Sequence, residues 1–248
     1  MQNPLYLNYA AAFLFYGAAF ALRLLDLRRA EYWVGLLALI ANAACLTLLT
    51  VSSGNFPVFE LFESFLTATF VLGLLGLFCA RPENRIPDTR TWVWLEILLL
   101  LFIILFSGKK VSPVVYDHND LYIVLFHGLR IITLSVMLFS SALFIQVRVE
   151  RKRGSSENGT SHKARNFMVL SAVLFLAAEY VGILWSQNGW GDFWHWNAGF
   201  FQSTLIVLYL MLAFHVPGKN YRSEGVRSLL GCMAGFFVLG MILIRSLI

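Results

Sequence analysis

Tryptophan is concentrated in one short stretch between two long apolar segments. Four of the seven tryptophans fall within twelve residues, Trp185, Trp190, Trp194 and Trp196. One or two would fit the ordinary preference of the indole ring for the membrane–water interface. Four of them, with Gly189 and Gly191 between and no Lys or Arg nearby, indicate a flat aromatic surface that could stack against a large planar ligand. Composition alone indicates only an aromatic interface.

Ionisable side chains within apolar segments form a second group of candidates, namely His127, Arg130, Glu179 and His215. Each is costly in a bilayer unless it is paired or faces a cavity, so each is a functional candidate. Histidine is the side chain best suited to axial ligation of haem iron, through a neutral imidazole nitrogen. Arg130 shares a helix face with His127 and could pair with Glu179 or extend to the interface.

The stretch from Trp185 to Asn197 resembles the tryptophan-rich segment of the cytochrome c assembly family, the haem-handling CcsA/ResC/CcmC group. The pattern of that segment runs roughly W-x-N-x-x-W-G-x-x-W-x-W-D, and Asn197 departs from it at the final aspartate. The resemblance implies a shelf for haem b on the outer face of the membrane. Its residues would be Trp185, Trp190, Gly191, Trp194, Trp196 and Asn197.

Two histidines extend the resemblance. His127, in Tyr122-Ile-Val-Leu-Phe-His127, resembles the outer axial ligand of the family. If haem is bound there, a propionate is a third alternative partner for Arg130. His215 lies eighteen residues after Asn197, where the family has a histidine near the cytoplasmic end of the next span. That separation is roughly 27 Å of helix, nearly a bilayer thickness, so one histidine is expected near each face. The alternatives are a hydrogen bond from His127 to a neighbouring helix and an interfacial anchor at His215.

A third match lies at the outer start of the third predicted span. Pro57-Val-Phe-Glu-Leu-Phe-Glu-Ser64 resembles the P-x-x-N-L-Y-E-S of the family. Proline is expected in the first turn of this helix, with Glu60 and Glu63 near its positive dipole end. Helix-start chemistry explains both carboxylates without a ligand. Glu63 is also a candidate cofactor-binding residue, because it shares the outer face with the tryptophan-rich stretch.

The second axial ligand is a point of departure from the family. CcsA-type members carry another outer histidine after the last span, whereas this sequence ends Arg245-Ser-Leu-Ile248 without one. His118 or His195 could substitute as a ligand, and either could instead be an exposed loop residue. His162 is expected to be solvated. These departures indicate a divergent member of the family.

Composition places these residues in a membrane, since 58% of the 248 residues are hydrophobic and 13% are charged. We predict an all-α, polytopic membrane helical bundle that forms a single membrane domain over residues 1–248. The eight predicted transmembrane helices are Leu5–Leu24, Tyr32–Val51, Pro57–Phe78, Trp92–Phe106, Leu121–Val147, Phe167–Trp185, Ala198–Val216 and Val226–Leu247. The fourth is the weakest, because it is short and carries Glu96.

Positive charge occupies alternate loops, which the positive-inside rule assigns to the cytoplasm. Both termini and the tryptophan-rich loop, about 185–197, are then predicted outside. A cytoplasmic linker is predicted at about 148–166, flexible by composition over Gly154–Ser161. The first span lacks a basic n-region and a cleavage site, so we expect it to be retained. The three cysteines, which lie in separate spans, are read as small core residues.

Haem handling is the function that these features favour. No Ser/His/Asp set, glycine-rich phosphate loop or Cys/His metal cluster is found, and nucleic-acid binding is not expected. The resemblance implies presentation of haem to apocytochrome c beside a CcsB/ResB-like membrane partner, as a possible component of a haem lyase in a bacterial-type cytoplasmic (inner) membrane. His127 and His215 are the implied ligands of the haem iron. The alternative is a non-catalytic relative that serves as a membrane-complex subunit or as a regulator of haem synthesis.

Overall fold

The computed structural model describes residues 2–80, 86–107, 121–154, 158–191, 198–216 and 221–247. These residues form helices, and no strand occurs among them. The helices are α1 (Gln2–Leu24), α2 (Arg28–Ser53), α3 (Leu61–Leu74), α4 (Thr89–Leu105), α5 (Leu121–Lys152), α6 (Asn158–Trp190), α7 (Ala198–His215) and α8 (Tyr221–Leu247). A π-helical turn, Leu75–Cys79, continues α3.

Six of these helices are long and apolar enough to cross a bilayer, so the chain is an integral multi-pass membrane protein. They are α1, α2, α3 with its π-helical turn, α5, α6 and α8. Helix α7 is apolar but shorter, and α4 has 17 residues, or ~25 Å at ~1.5 Å per residue. A helix therefore occupies each predicted span, while eight crossings and the side of the termini stay predictions.

Three details differ from the sequence-based expectations. Helix α3 begins four residues after Pro57, with Glu60 as its N-cap, so the proline is not in its first turn. Helix α5 continues to Lys152 and α6 begins at Asn158, so helix occupies most of the predicted linker. Helix α6 also continues to Trp190, into the predicted outer loop. The hydropathy pattern identifies only the apolar part of a helix. Arg and Lys are good helix formers, so the helix can continue beyond the bilayer into water.

The Cα positions divide into two compact units, unit 1 (Met1–Val124) and unit 2 (Leu125–Ile248). The Gly154–Ser161 stretch, which is predicted to be flexible from its composition, does not coincide with the boundary between them. Instead, the boundary falls within the first turn of α5, so unit 1 contains α1 to α4 and unit 2 contains nearly all of α5 to α8.

Buried ion pairs connect the helices of unit 1. Arg23 is fully buried and donates to both carboxylate oxygens of Asp88, the N-cap of α4. Arg90 bonds to Glu31 at 3.1 Å and donates to three backbone carbonyls around the π-helical turn. Trp94 donates its indole N–H to the same Glu31 at 2.8 Å. Arg23 and Arg90 belong to the basic clusters that the sequence indicates mostly as topology signals, and the ion pairs give them a structural role as well.

Close helix contacts organise unit 2 around α5. The ring centroids of Phe139 on α5 and Phe167 on α6 lie 4.7 Å apart. Ser141 on α5 donates to the Gly231 carbonyl of α8 and accepts from the Gly235 amide. A Cβ at Gly235 would lie 2.9 Å from the Leu138 backbone, so the two backbones approach where glycine permits it.

Candidate functional site

Arg130, Glu179 and Ser203 meet at the end of unit 2 that holds the start of α5 and α7. The Arg130 Nε atom donates to Glu179 Oε1 at 3.2 Å, and Nη2 donates to the same oxygen. Nη2 also donates to Ser203 Oγ at 2.6 Å. Of the alternatives that the sequence leaves open for Arg130, the ion pair with Glu179 is present.

His127 lies one turn before Arg130 on α5 and is half-buried. The neighbouring Phe126 ring connects the surrounding groups, since the Arg130 guanidinium carbon lies 4.5 Å from its centroid. The Trp185 ring on α6 is 6.1 Å from the same centroid. Gly182, one turn before Trp185, leaves the space that Phe126 fills. The fold thus groups the first tryptophan of the tryptophan-rich stretch with the turn that carries His127.

Arg245, in the last turn of α8, is an exposed cation that is not among the residues that the sequence patterns singled out. A sequence signal for it exists. In the predicted topology the end of α8 is outside, where the positive-inside rule disfavours arginine, so Arg245 is an exception to that rule.

His215 is the last residue of α7, and its side chain is exposed. Its Nδ1 lies 2.8 Å from the Met211 carbonyl oxygen one turn earlier. A carbonyl can only accept, so Nδ1 carries the hydrogen and, in the neutral ring, the Nε2 lone pair is free to bind a metal. Ser203, which contacts Arg130, is twelve residues earlier, or ~18 Å along the helix. His127 and His215 therefore lie toward opposite ends of unit 2.

Glu63 belongs to unit 1 and is part of a capping box at the start of α3. The Glu60 side chain accepts from the Glu63 amide, and the Glu63 carboxylate accepts from the Glu60 amide at 3.5 Å. The expectation that both carboxylates serve the helix start is confirmed. A cofactor contact of Glu63 stays a prediction.

The tryptophan-rich stretch is described only in its first half. Trp190 is the last residue of α6, and Gly191 follows with φ +71°, a left-handed conformation suited to glycine. Its amide donates to the Gln187 carbonyl at 2.9 Å. Five predicted site residues lie outside the described residues and stay predictions: Trp194, Trp196, Asn197, His118 and His195.

The fold and site define an integral multi-pass helical membrane protein with histidines toward both ends of one four-helix unit. Within the described ranges, no group of three His, Cys, Asp or Glu side chains is arranged to hold a metal ion. No protein-family model matches the sequence, and no curated protein does either.

Proposed function

We propose that the protein binds haem as a member of the cytochrome c assembly type, in a bacterial-type cytoplasmic (inner) membrane. In this proposal haem b is accepted at His215 and presented at the outer face beside the tryptophan-rich stretch, with His127 as axial ligand. The recipient is an apocytochrome c, and a CcsB/ResB-like membrane protein is the partner. The supporting observation is the pair of histidines toward opposite ends of unit 2, one of which is grouped with Phe126 and Trp185.

The chemistry of the donor groups fits haem. The Met211 carbonyl fixes the His215 ring and leaves Nε2 for the iron. Near His127, the aromatic rings of Phe126 and Trp185 provide apolar surface for a planar macrocycle. When bound, haem supplies the iron for axial ligation and the vinyl groups for thioether bonds with a reduced C-x-x-C-H segment of an apocytochrome. The residues of this chain bind and orient it.

A non-catalytic relative, acting as a membrane-complex subunit or a regulator of haem synthesis, is the second candidate. The bonds from Arg130 to Glu179 and Ser203 favour it, because they account for this arginine without any ligand. The two functions differ in whether haem is transferred. A first experiment on haem binding therefore applies to both, and a second experiment on haem transfer distinguishes them.

The first experiment is an absorption spectrum of the detergent-purified protein in both redox states. We expect a Soret band that weakens in His127→Gly and in His215→Gly, because each variant removes one axial nitrogen. Added imidazole is expected to restore the band, since it fills the vacated position on the iron. His162→Gly is the matched control, because His162 is exposed and takes no part in the proposal.

The outcomes separate the candidates. No Soret band in the wild type, even after haem supplementation, would reject haem binding. A band that is indifferent to both histidine variants would reject the assigned ligands. Haem binding without transfer to a reduced apocytochrome, with the partner present, would favour the non-catalytic relative.

A further inference from the structure

Glu96 on α4 is the one carboxyl group without a polar partner among the Asp and Glu side chains that the structure describes. Each of the other eight accepts a hydrogen bond or forms an ion pair. Neither carboxyl oxygen of Glu96 has a partner, although the residue is only 3% exposed. It is the eighth of the 17 residues of α4, so it lies ~10.5 Å from one end of the helix and ~13.5 Å from the other.

The surroundings of Glu96 provide no compensating charge. Val93 and Leu100, one turn before and one turn after it on α4, are fully buried and apolar. Val93 packs against α3 at Gly76, where a Cβ would lie 2.8 Å from Val93 Cγ1. The charged groups of the neighbouring helices bond to other residues, namely Arg23 of α1 to Asp88, Glu31 of α2 to Arg90, and Glu63 of α3 to the Glu60 amide.

A negative charge at this position would be very costly. A carboxylate that loses its hydration without gaining a hydrogen bond or a counter-ion is so strongly disfavoured that the group takes up a proton instead. A metal ion does not replace the proton, because metal ions need several ligand atoms and no group of three His, Cys, Asp or Glu side chains is arranged to hold one within the described ranges. A proton is the cation that a single carboxyl group can bind.

A structural role does not account for this group. The protonated form still has an O–H donor and a carbonyl acceptor without partners, so it stabilises the fold less than an apolar side chain of similar size. Ionisable groups inside membrane helices are characteristic of proton and ion pathways. We propose that Glu96 is a proton-binding site of unit 1, which exchanges a proton with water, RCOO⁻ + H⁺ → RCOOH and its reverse, while the unit stays folded. This inference does not depend on haem binding.

Infrared absorption of the detergent-purified protein tests for the bound proton. A protonated carboxyl group has a carbonyl band that is separate from the bands of ionised carboxylates and backbone amides. We expect such a band in the wild type and its loss in Glu96→Gln, which keeps the size of the side chain but cannot hold the proton. Glu224→Gln is the matched control, because Glu224 forms an ion pair with Arg151, and it is expected to keep the band.

Transfer of the wild type to D₂O tests for exchange. Deuteration shifts the carboxyl band, whereas the amide II band of the same spectrum reports exchange of the backbone N–H groups. We expect the carboxyl band to shift while the amide II band still shows protected helices. Should Glu96→Gln not purify as a monodisperse protein, Glu96→Asp replaces it, and the band is then expected to move to a new frequency instead of disappearing.

Two outcomes would overturn the proposal. Identical carbonyl regions in the wild type and Glu96→Gln would show that Glu96 holds no proton. A carboxyl band that shifts only as the amide II band is lost would show that the proton leaves only on unfolding. Neither outcome affects the proposed haem binding, which is measured by visible absorption.

Discussion

At the scale of single residues, Gly182 sets how closely Phe126 packs against α6. A Cβ at position 182 would lie 2.8 Å from Cε2 and 2.9 Å from Cδ2 of Phe126, closer than real Cβ atoms approach other atoms. The same ring lies against Arg130 and beside Trp185, which limits its room to move. A side chain at position 182 would therefore displace the ring that connects these two candidate site residues.

Gly182→Ala is accordingly expected to lower the free energy of unfolding by about 1–3 kcal/mol, as overpacking typically does, and to weaken haem binding. Gly128→Ala is the matched control on α5. A Cβ at Gly128 meets nothing within 4 Å, and alanine in a helix is more stable than glycine by roughly 0.5–1 kcal/mol. Thermal unfolding of the purified variants measures both effects. Phe126→Leu added to Gly182→Ala should recover stability, and an unperturbed Gly182→Ala protein would contradict the packing.

Only some of the contacts around Arg130 could be predicted from the sequence. Arg130 and Glu179 could be matched in advance, because opposite charges inside a membrane tend to pair. Ser203 could not, since its contact depends on how far α7 is shifted along α5. Opposite charges therefore allow a contact to be predicted from the sequence, because charge acts over distance. The neutral hydroxyl of Ser203 gives no such indication.

At the scale of elements, α2 and α4 carry two buried glutamates with opposite surroundings. Glu31 on α2 accepts from Arg90 and Trp94. Glu96 on α4 is also buried, but neither of its carboxyl oxygens has a hydrogen-bond partner in the described part of the chain. Hydropathy indicated both helices, but the difference between the glutamates depends on the packing of α4, which a hydropathy pattern does not contain.

These two glutamates should respond in opposite ways to substitution. Glu31→Leu is expected to destabilise unit 1 by about 3–5 kcal/mol, because it leaves the buried Arg90 without its carboxylate. Glu96→Leu is expected to raise the thermal unfolding temperature, because it removes an unsatisfied buried polar group whose cost is ~1–3 kcal/mol. Parallel thermal unfolding of the two variants in one detergent is the measurement. A loss of stability in Glu96→Leu would show that its carboxyl group has a favourable partner.

At the scale of the whole molecule, the sequence and the contacts divide the chain differently. The Gly154–Ser161 stretch suggested a division into five and three spans within one domain, whereas the compact units contain four helices each. The composition of a stretch indicates how flexible the chain is expected to be there, whereas a compact unit shows which helices pack together. Helices α5 and α6 pack through Phe139 and Phe167 on either side of that stretch, so the linker lies inside a unit. The single membrane domain stays a prediction.

Membrane crossing by α4 and α7 decides whether the proposed path for haem is possible, because His127 must lie on the outer side and His215 on the inner side. Helices α4 and α7 span ~25 and ~27 Å, slightly less than a ~30 Å hydrocarbon core, which a bilayer can accommodate by thinning. We therefore expect both to cross. The test uses a protein in which Cys45, Cys79 and Cys232 are replaced by alanine. A single cysteine is then placed at Ser107, after α4, or at Val216, after α7. Its reaction with a membrane-impermeant maleimide is measured in intact cells.

Labelling is expected at Ser107→Cys without permeabilisation, and at Val216→Cys only after it. Asn55→Cys and Arg153→Cys are the references for the outer and inner sides, and the cysteine-free protein gives the background. Protection of Ser107→Cys would mean that α4 does not cross and that the topology beyond it is inverted. Labelling of Val216→Cys in intact cells, with Ser107→Cys also labelled, would place both histidines on one side. Transfer of haem across the membrane between them would then be excluded, whatever the haem affinity of each site.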